Sequence, residues 1–321
     1  MKAVVLEKAC KAEELVVCDV PKPKVKPGWV LVKIKAFGIN RSEIFTRQGD
    51  SPSVKLPRII GIECVGEIED SSDSSYKKGQ RVISLMGGLG REFDGSYAEY
   101  ALIPSNQVYP INIDMEWTQM ATIPEMYYTA YASLFEVLRL TIGETLLIRG
   151  GTSSVGLAAL KLAKSIGATV ISTTRTPNKL EFLKENGADF VLMDDSNLLD
   201  QLFSSFPNGV NKILELVGTV TLKNSLKLLS EHGTLCMIGI LGGEWILNNF
   251  EPMVDITSGT YFSQFDSQNI KEEILNKLFN HIEQHKIKVP IAKVFTLDEI
   301  HKAHLLMESN MANGKIIVVN S

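Results

Sequence analysis

The sequence lacks several features that mark specialised classes of protein. Its four cysteines show no paired spacing, which argues against a disulfide framework and indicates reduced thiols. The net charge of -4 comes with scattered basic residues, so the sequence predicts no nucleic-acid partner. No apolar run is long enough to cross a bilayer, and the N-terminus has no apolar signal core. We therefore predict a cytoplasmic protein without a membrane partner.

Histidine is also scarce, which limits the metal sites that the chain can build. All five histidines lie from His232 onward. His281 and His285 would share one helix face, but the residues between them do not form a metalloprotease motif and no third ligand is evident. The same holds for His301 and His304. We predict that the protein binds no metal.

Length and composition are those of a soluble globular protein with more than one domain. The 321 residues predict two domains, and 45% hydrophobic residues allow a sizeable core. Up to about residue 118, short β-branched runs are broken by proline and glycine, which indicates a mostly β domain. The predicted strands there are Lys2 to Leu6, Trp29 to Ala36, Gly66 to Ile68, Arg81 to Leu85 and Tyr97 to Ile103. The polar segment 71–75 is predicted to be a turn.

From Trp117 to about Phe265 the predicted strands alternate with helices. This alternation is typical of a parallel, doubly wound α/β sheet. The predicted strands are Leu146 to Ile148, Val170 to Thr173, Phe190 to Leu192, Lys212 to Leu216 and Thr234 to Ile238. Beyond this region we predict helices over 269–285 and 297–308 and a final strand over 315–319.

A turn rich in glycine and serine follows the first of these strands. It reads Gly151-x-Ser153-x-x-Gly156, so a serine stands where a dinucleotide-binding fingerprint has its middle glycine. A helix over 157–167 and a second strand over 169–174 are predicted to follow. Small residues let the backbone approach a pyrophosphate, whose charge lies at the helix N-terminus. The predicted cofactor contacts are Gly150, Gly151, Thr152, Ser153, Ser154, Val155 and Gly156.

The residues after the second strand predict which dinucleotide binds. An NAD site has Asp or Glu about 20 residues after the first glycine, where it binds the adenosine ribose. No acidic residue occurs between Gly151 and Glu181. Instead, Thr174, Arg175 and Lys179 offer a hydroxyl and two cations to a 2′-phosphate, which predicts NADP(H). The alternative interpretation is that both cations are solvated residues at a helix start.

Further segments along the chain resemble one enzyme family. They are Met1-Lys-Ala-Val-Val5, Ala36-Phe-Gly-Ile-Asn40, Pro57-Arg-Ile-Ile-Gly-Ile-Glu63, Gly95-Ser-Tyr-Ala-Glu-Tyr100, Ala121-Thr-Ile-Pro-Glu125, Thr129-Ala-Tyr131, Gly187-Ala-Asp189, Glu215-Leu-Val-Gly218 and Gly314-Lys-Ile-Ile-Val318. In this order they resemble the medium-chain dehydrogenase/reductase superfamily, and within it the zinc-free, zeta-crystallin-like quinone oxidoreductases. The resemblance implies an α/β protein with a GroES-like β domain (1–118 and 266–321) and a Rossmann domain (119–265).

The resemblance also assigns roles to single residues. Zinc-dependent members hold the metal with a Cys, a His in a Gly-His-Glu segment and a second Cys. Here those positions read Asn40, Ile62 and, around Pro124-Glu125, no thiol. Asn40 matches the family's asparagine beside the nicotinamide, and Thr129 matches a threonine near its ribose. Tyr128 is a third candidate for the catalytic pocket, and core packing explains it equally well.

Other positions follow from the family pattern and from the sheet. The carboxyl edge of a doubly wound sheet binds the ligand, where a small residue leaves room for the nicotinamide. The additional cofactor contacts predicted are Gly218, Ile238, Gly239, Ile240 and Lys315. Several relatives have a tyrosine five residues after the asparagine; here that position is Phe45, so we expect solvent to deliver the proton. The run Gly87 to Gly90 lacks a following helix, which predicts a mobile loop at the cleft.

The residues together predict a reaction class. Without a metal, a nicotinamide enzyme is best matched to a conjugated acceptor, because such an acceptor delocalises the developing charge. We therefore predict hydride transfer from NADPH to a small quinone or α,β-unsaturated carbonyl, in a cleft between the two domains. Two alternatives stay open: an enoyl-thioester reductase of the same superfamily, and a non-catalytic NADPH-binding protein. By resemblance, the apolar residues Trp245, Phe250 and Met253 predict the edge of a homodimer.

Overall fold

The computed structural model describes residues 1–71, 75–288 and 290–320, and most of the turn predicted over 71–75 lies outside these residues. The chain divides into two units. Unit 1 comprises Met1–Glu125, Ser267–Asn280 and Pro290–Ser321, and unit 2 comprises Met126–Asp266 and His281–Val289. The sequence-based domain ranges remain a prediction. Among the described residues, no helix has the length and apolar character that crossing a bilayer requires.

The first part of unit 1 consists mainly of strands. They are β1 (Lys2–Ala3), β2 (Val5–Leu6), β3 (Cys18–Asp19), β4 (Trp29–Gly38), β5 (Arg58–Ile59), β6 (Glu63–Asp70), β7 (Arg81–Leu85), β8 (Tyr100–Pro104) and β9 (Tyr109–Pro110). The helices are α1 (Arg41–Gln48) and α2 (Trp117–Met120), and α3 (Pro124–Tyr131) begins in unit 1 and continues into unit 2. Val30, Val32 and Ile34 alternate along β4 and are buried in the core of the unit, which explains the period-two pattern of this strand.

Unit 2 is a parallel sheet with helices between its strands. Its strands are β10 (Thr145–Arg149), β11 (Thr169–Thr174), β12 (Phe190–Met193), β13 (Val210–Glu215), β14 (Leu229–Met237) and β15 (Tyr261–Gln264). Its helices include α4 (Ser154–Ser165), α5 (Leu180–Glu185), α6 (Leu198–Ser205), α7 (Thr219–Leu226) and α8 (Pro252–Asp255). The strand order is β12-β11-β10-β13-β14-β15, and every pair is parallel. This order reverses between β10 and β13, which is where a Rossmann sheet binds its dinucleotide.

The C-terminal part of the chain returns to the sheet of unit 1. It contains α9 (Glu272–His285), β16 (Ile291–Thr296), α10 (Ile300–Glu308) and β17 (Lys315–Val319). β17 pairs antiparallel with β4, so the sheet order is β16-β17-β4-β6-β7-β9, with β8 also paired to β4. The predicted mostly β domain and the parallel doubly wound sheet are thereby confirmed.

Two local results refine the sequence predictions. The helix predicted over 157–167 begins earlier, at Ser154, because Ser153 caps its N-terminus. Helix α1 was not predicted at all. Its signals were present: Asn40 and Glu43 form a capping box, and Gly49 ends the helix in the left-handed conformation at φ 94°.

Candidate active site

The glycine turn of unit 2 is closed by a serine. The Ser153 hydroxyl accepts a hydrogen bond from the Gly156 amide at 3.1 Å and donates to the Gly150 carbonyl at 2.9 Å. Ser153 is therefore the cap of α4, which explains why it can replace the middle glycine of the fingerprint. The amides of Ser154 and Val155, in the first turn, have no intrahelical acceptor, as at helix N-termini that bind anions.

The glycines of this turn are required by close backbone approach. A Cβ atom on Gly151 would lie 1.8 Å from Ser172 Oγ, and one on Gly156 would lie 2.7 Å from the Gly150 carbonyl oxygen. Gly150 adopts φ +87°, which favours glycine. The turn therefore presents bare backbone to a ligand, and these residues fit the pyrophosphate of a dinucleotide.

A buried polar network supports the turn from below. The Gly150 amide donates to Thr173 Oγ1 at 3.2 Å, and this hydroxyl donates to Asp194 Oδ2 at 3.2 Å. Arg149 binds both oxygens of Asp194, with Nη2–Oδ1 at 2.6 Å and Nε–Oδ2 at 3.0 Å. Arg149 also donates to Ser225 Oγ at 2.9 Å. The network fixes the ends of neighbouring strands around the glycine turn.

Glu215 extends this network to the next loop. It is fully buried, and its Oε1 accepts hydrogen bonds from the Val217 amide at 2.8 Å and the Gly218 amide at 3.1 Å. Its other oxygen accepts from Ser225. Burial raises the pKa of the Glu215 carboxyl above its ordinary value. The predicted contact Gly218 is thus held by a side chain that sequence reasoning did not single out.

The residues predicted at the 2′-phosphate differ in exposure. Thr174 is buried at the end of β11, where its hydroxyl accepts a hydrogen bond from the Thr176 amide at 3.1 Å. Arg175 is exposed, whereas Lys179 is largely buried and burial lowers the pKa of its ammonium. A bound phosphate dianion would favour the charged form of Lys179. The roles of the three residues stay predictions.

The segment after β14 has a structural reason for its glycine. A Cβ atom on Gly239 would lie 2.3 Å from the Leu216 carbonyl oxygen. The Ile238 amide donates to the Glu215 carbonyl at 3.0 Å, so the segment from Ile238 to Ile240 follows the end of β13. Gly239 is therefore required by its neighbouring backbone, independently of the room for a nicotinamide that the sequence suggested.

Unit 1 contains a second polar cluster, centred on Asn40, Glu63 and Lys315. Lys315 Nζ lies 2.7 Å from Glu63 Oε1 and donates to Asn40 Oδ1 at 2.6 Å. Asn40 Nδ2 donates to Glu63 Oε1 at 3.0 Å. The ammonium of Lys315, a predicted cofactor contact, is thus buried in an ion pair. The side-chain amide of Asn40, a predicted catalytic residue, is hydrogen-bonded through both its oxygen and its nitrogen.

Two more glutamates complete this Asn40–Glu63–Lys315 cluster. The second oxygen of Glu63 accepts a hydrogen bond from the Glu125 amide at 2.7 Å. Glu43 accepts hydrogen bonds from the Asn40 amide at 3.1 Å and the Ile62 amide at 3.3 Å. Burial, together with the negative charge of Glu63, raises the pKa of Glu43 to about 7. The cluster therefore carries a carboxyl group that titrates near neutral pH.

The cluster joins the three segments that hold zinc in the metal-dependent relatives. Those segments are represented here by Asn40, by Ile62 with Glu63, and by Glu125. The predicted catalytic residues Tyr128 and Thr129 are both buried on α3, and the Tyr128 ring lies 6.4 Å from that of Phe265. Within the described ranges, no group of three or more His, Cys, Asp and Glu side chains is arranged to hold a metal ion.

Comparison with known proteins identifies the family. The model of the alcohol dehydrogenase GroES-like domain matches residues 26–113, and that of the zinc-binding dehydrogenases matches residues 154–275. The quinone oxidoreductase of Rattus norvegicus is 31% identical over 94% of this chain and 92% of its own length. That of Homo sapiens is 30% identical over the same shares. A mycobacterial structure complexed with NADPH is 25% identical over 99% of both chains, with a TM-score of 0.87.

These matches, with a Rossmann sheet and a GroES-like unit, define a nicotinamide-dependent oxidoreductase. The chain belongs to the quinone oxidoreductase family of the medium-chain dehydrogenase/reductase superfamily. The family predicted from the sequence is confirmed.

Proposed function

We propose that the protein is a zinc-independent reductase that transfers hydride from NADPH to quinones or α,β-unsaturated carbonyls. The observation that carries the proposal is the Asn40–Glu63–Lys315 cluster. The segments that hold zinc in metal-dependent relatives are joined here by an amide, a carboxylate and an ammonium. Reduction of a simple carbonyl demands strong stabilisation of the developing oxyanion, which a metal supplies as a Lewis acid. A conjugated acceptor spreads that charge and demands less of the protein.

The cofactor specificity is proposed from unit 2. Bound NADPH supplies the hydride. The amides of Ser154 and Val155 bind the pyrophosphate, and Arg175 with Lys179 binds the 2′-phosphate. The NADPH complex of the mycobacterial relative supports this choice. Because Phe45 replaces the tyrosine of several relatives, we propose that the proton comes from solvent.

The reaction is tested by following NADPH consumption with a panel of acceptors. The panel contains 9,10-phenanthrenequinone, 1,4-benzoquinone and methyl vinyl ketone, with a simple aldehyde for comparison. We expect turnover of conjugated acceptors and little turnover of the aldehyde. Ready turnover of the aldehyde with inert conjugated acceptors would contradict the proposal. Inertness of every acceptor, including an enoyl thioester, would favour a non-catalytic NADPH-binding protein.

Independence of zinc has its own test. We expect purified protein to carry no stoichiometric zinc and to keep its activity in chelator, because the ligand positions hold Asn40 and Ile62. Elemental analysis provides the measurement. About one zinc per chain, lost together with activity on chelation, would contradict zinc independence.

We also propose that the protein is a cytoplasmic homodimer. The location is supported by the four cysteines, all of which are free thiols. The dimer is supported by the edge strand β15 and by exposed apolar side chains: Trp245 is 61% exposed, Met253 95% and Tyr261 58%. Sedimentation velocity tests the dimer, and Tyr261→Lys should shift it towards monomer. A wild-type protein that sediments as a monomer at every concentration would contradict it.

A further inference from the structure

Unit 1 contains a polar cavity that the proposed reaction does not explain. Its volume of about 560 Å³ lies in the range of small-molecule sites, which is roughly 300–1,000 Å³. The loop after β7 forms one wall, and residues from the segments near 53, 106 and 269 form the others. Among the residues that line it are Gly87, Gly88, Arg91, Glu92 and Gln107.

The cavity begins beside the Asn40–Glu63–Lys315 cluster. Glu63 is paired with Leu85 in the sheet, and Met86, the next residue, lines the cavity. The Met86 amide donates to the Ile62 carbonyl at 2.8 Å. One wall of the cavity therefore continues from the strand end that pairs with Glu63.

The wall of the cavity offers hydrogen-bond donors that lack acceptors. Arg91 Nε is buried without a hydrogen-bond partner, and among the described residues no carboxylate lies within ion-pair distance of the Arg91 guanidinium. The amides of Gly87 and Gly88 likewise have no acceptor in the described part of the chain. A buried donor without an acceptor, such as Arg91 Nε, is costly, so a ligand with acceptor oxygens gains from binding here.

Other polar groups of the wall define the ligand more closely. Gln107 folds over Gly87, since a Cβ atom on Gly87 would lie 2.6 Å from Gln107 Oε1. Glu92 lines the same cavity but is exposed, and its carboxylate folds back towards Gly88. Its charge at the rim opposes any anion that does not contact Arg91 directly. In the part of the chain that the structure describes, the wall therefore offers one cationic donor for a compact anion, Arg91, beside an unpaired acceptor, Gln107 Oε1.

We propose that this cavity binds a carboxylate carried by the acceptor, and that Arg91 is the residue that selects for it. A forked guanidinium binds a carboxylate through two charge-assisted hydrogen bonds. The inference rests on the proposed reductase function and narrows its substrate class to conjugated carbonyls with an anionic tail. It differs from an enoyl thioester, which carries no carboxylate at its acyl end.

Turnover with a matched pair of acceptors gives the first test. The pair is (E)-6-oxohept-4-enoate and its methyl ester, which share the same enone. We expect kcat/KM to be roughly tenfold or more higher for the acid, mainly through KM. Arg91→Gln should remove this preference, and Arg91→Lys should keep part of it. The matched control Glu92→Gln, which removes the neighbouring charge, should preserve or increase the preference.

Calorimetric binding separates this inference from the reaction itself. The probes are the saturated 6-oxoheptanoate and its methyl ester, which bind without turnover. We expect wild type to bind the acid roughly tenfold or more tightly than the ester. We expect Arg91→Gln to bind the acid and the ester with equal affinity. Equal affinities in wild type, or a preference that survives in Arg91→Gln, would overturn the assignment of Arg91. If the acid is preferred in binding but no enone is reduced, the proposed reaction fails and the anion site stands.

Discussion

Lys315 and Glu63 form an ion pair in which both side chains are fully buried, with Nζ and Oε1 2.7 Å apart. The pair connects β17 near the C-terminus with β6. Gly38 makes room for it, because a Cβ atom there would lie 2.1 Å from Lys315 Cε and 2.3 Å from Glu63 Oε1. A buried ion pair is stable only when well-placed hydrogen bonds replace those that water made to both charges. Asn40 and the Glu125 amide supply these hydrogen bonds.

Removing one partner of this pair should destabilise the protein strongly. Lys315→Met leaves the Glu63 carboxylate buried without its cation, which costs about 3–5 kcal/mol. Adding Glu63→Leu to Lys315→Met should restore part of the loss, since it removes the unpaired charge. Urea unfolding measures both. The control is Lys302→Met, whose exposed ion pair with Glu299 should contribute little. Equal effects of Lys302→Met and Lys315→Met would contradict the role of the buried pair.

Cofactor preference should depend on Arg175. We expect wild type to bind NADPH more tightly than NADH, and Arg175→Ala to weaken NADPH binding roughly tenfold or more while leaving NADH nearly unchanged. The physical reason is the loss of a charge-assisted contact to the 2′-phosphate. Fluorescence titration of both cofactors is the measurement, with Lys184→Ala as an exposed-cation control. Equal affinity of wild type for the two cofactors would refute the assignment.

The buried His304 should make the protein sensitive to acid. Burial, and then the nearby charge of Arg47, lowers the pKa of His304 from 6.5 to about 3. Below pH 6.5 the unfolded chain takes up a proton that the folded protein refuses, so stability falls as the pH falls towards 3. The slope from this residue approaches about 1.4 kcal/mol per pH unit. Chemical unfolding across this range should show a shallower fall for His304→Gln, and identical slopes would count against the prediction.

Glu43 should affect the pH dependence of stability in the direction opposite to His304. Its pKa is raised from 4.5 to about 7, so the folded protein holds a proton that the unfolded chain has already released. The stability that this proton provides is present below pH 4.5 and is lost as the pH rises through 7. Glu43→Gln should therefore gain stability relative to wild type over that interval, again by up to about 1.4 kcal/mol per pH unit. A difference in stability that does not change with pH would disprove the raised pKa.

Local patterns predicted the sheet and the cofactor turn. The strand Thr169–Thr174 and the final strand Lys315–Val319 lie where the β-branched runs placed them, because strands buried on both faces show as continuous runs in the sequence. The sequence shows a serine, Ser153, within the fingerprint but does not indicate its role. Its role depends on hydrogen bonds to Gly150 and Gly156, which a motif comparison does not contain.

The polar cluster of unit 1 could not be predicted from local sequence patterns. Asn40 and Lys315 are 275 positions apart, and only the pairing of β17 with β4 brings them together. Asn40 was selected by family resemblance, while Glu43 and Glu63 were overlooked. Glu63 follows Gly61 and Ile62 in a buried strand. Because buried charges require partners, a carboxylate at this position indicates a buried cation or hydrogen-bond donor nearby. Which partner it finds is decided by tertiary structure.

The most direct test of the proposed function follows the hydride itself. NADPH carrying deuterium at the reactive face of its C4 position is incubated with the enzyme and a simple enone, and the product is examined by NMR. We predict that the deuterium appears on the β-carbon of a saturated ketone. Deuterium on the carbonyl carbon of an allylic alcohol, or a product without label, would contradict the proposed hydride transfer to conjugated acceptors.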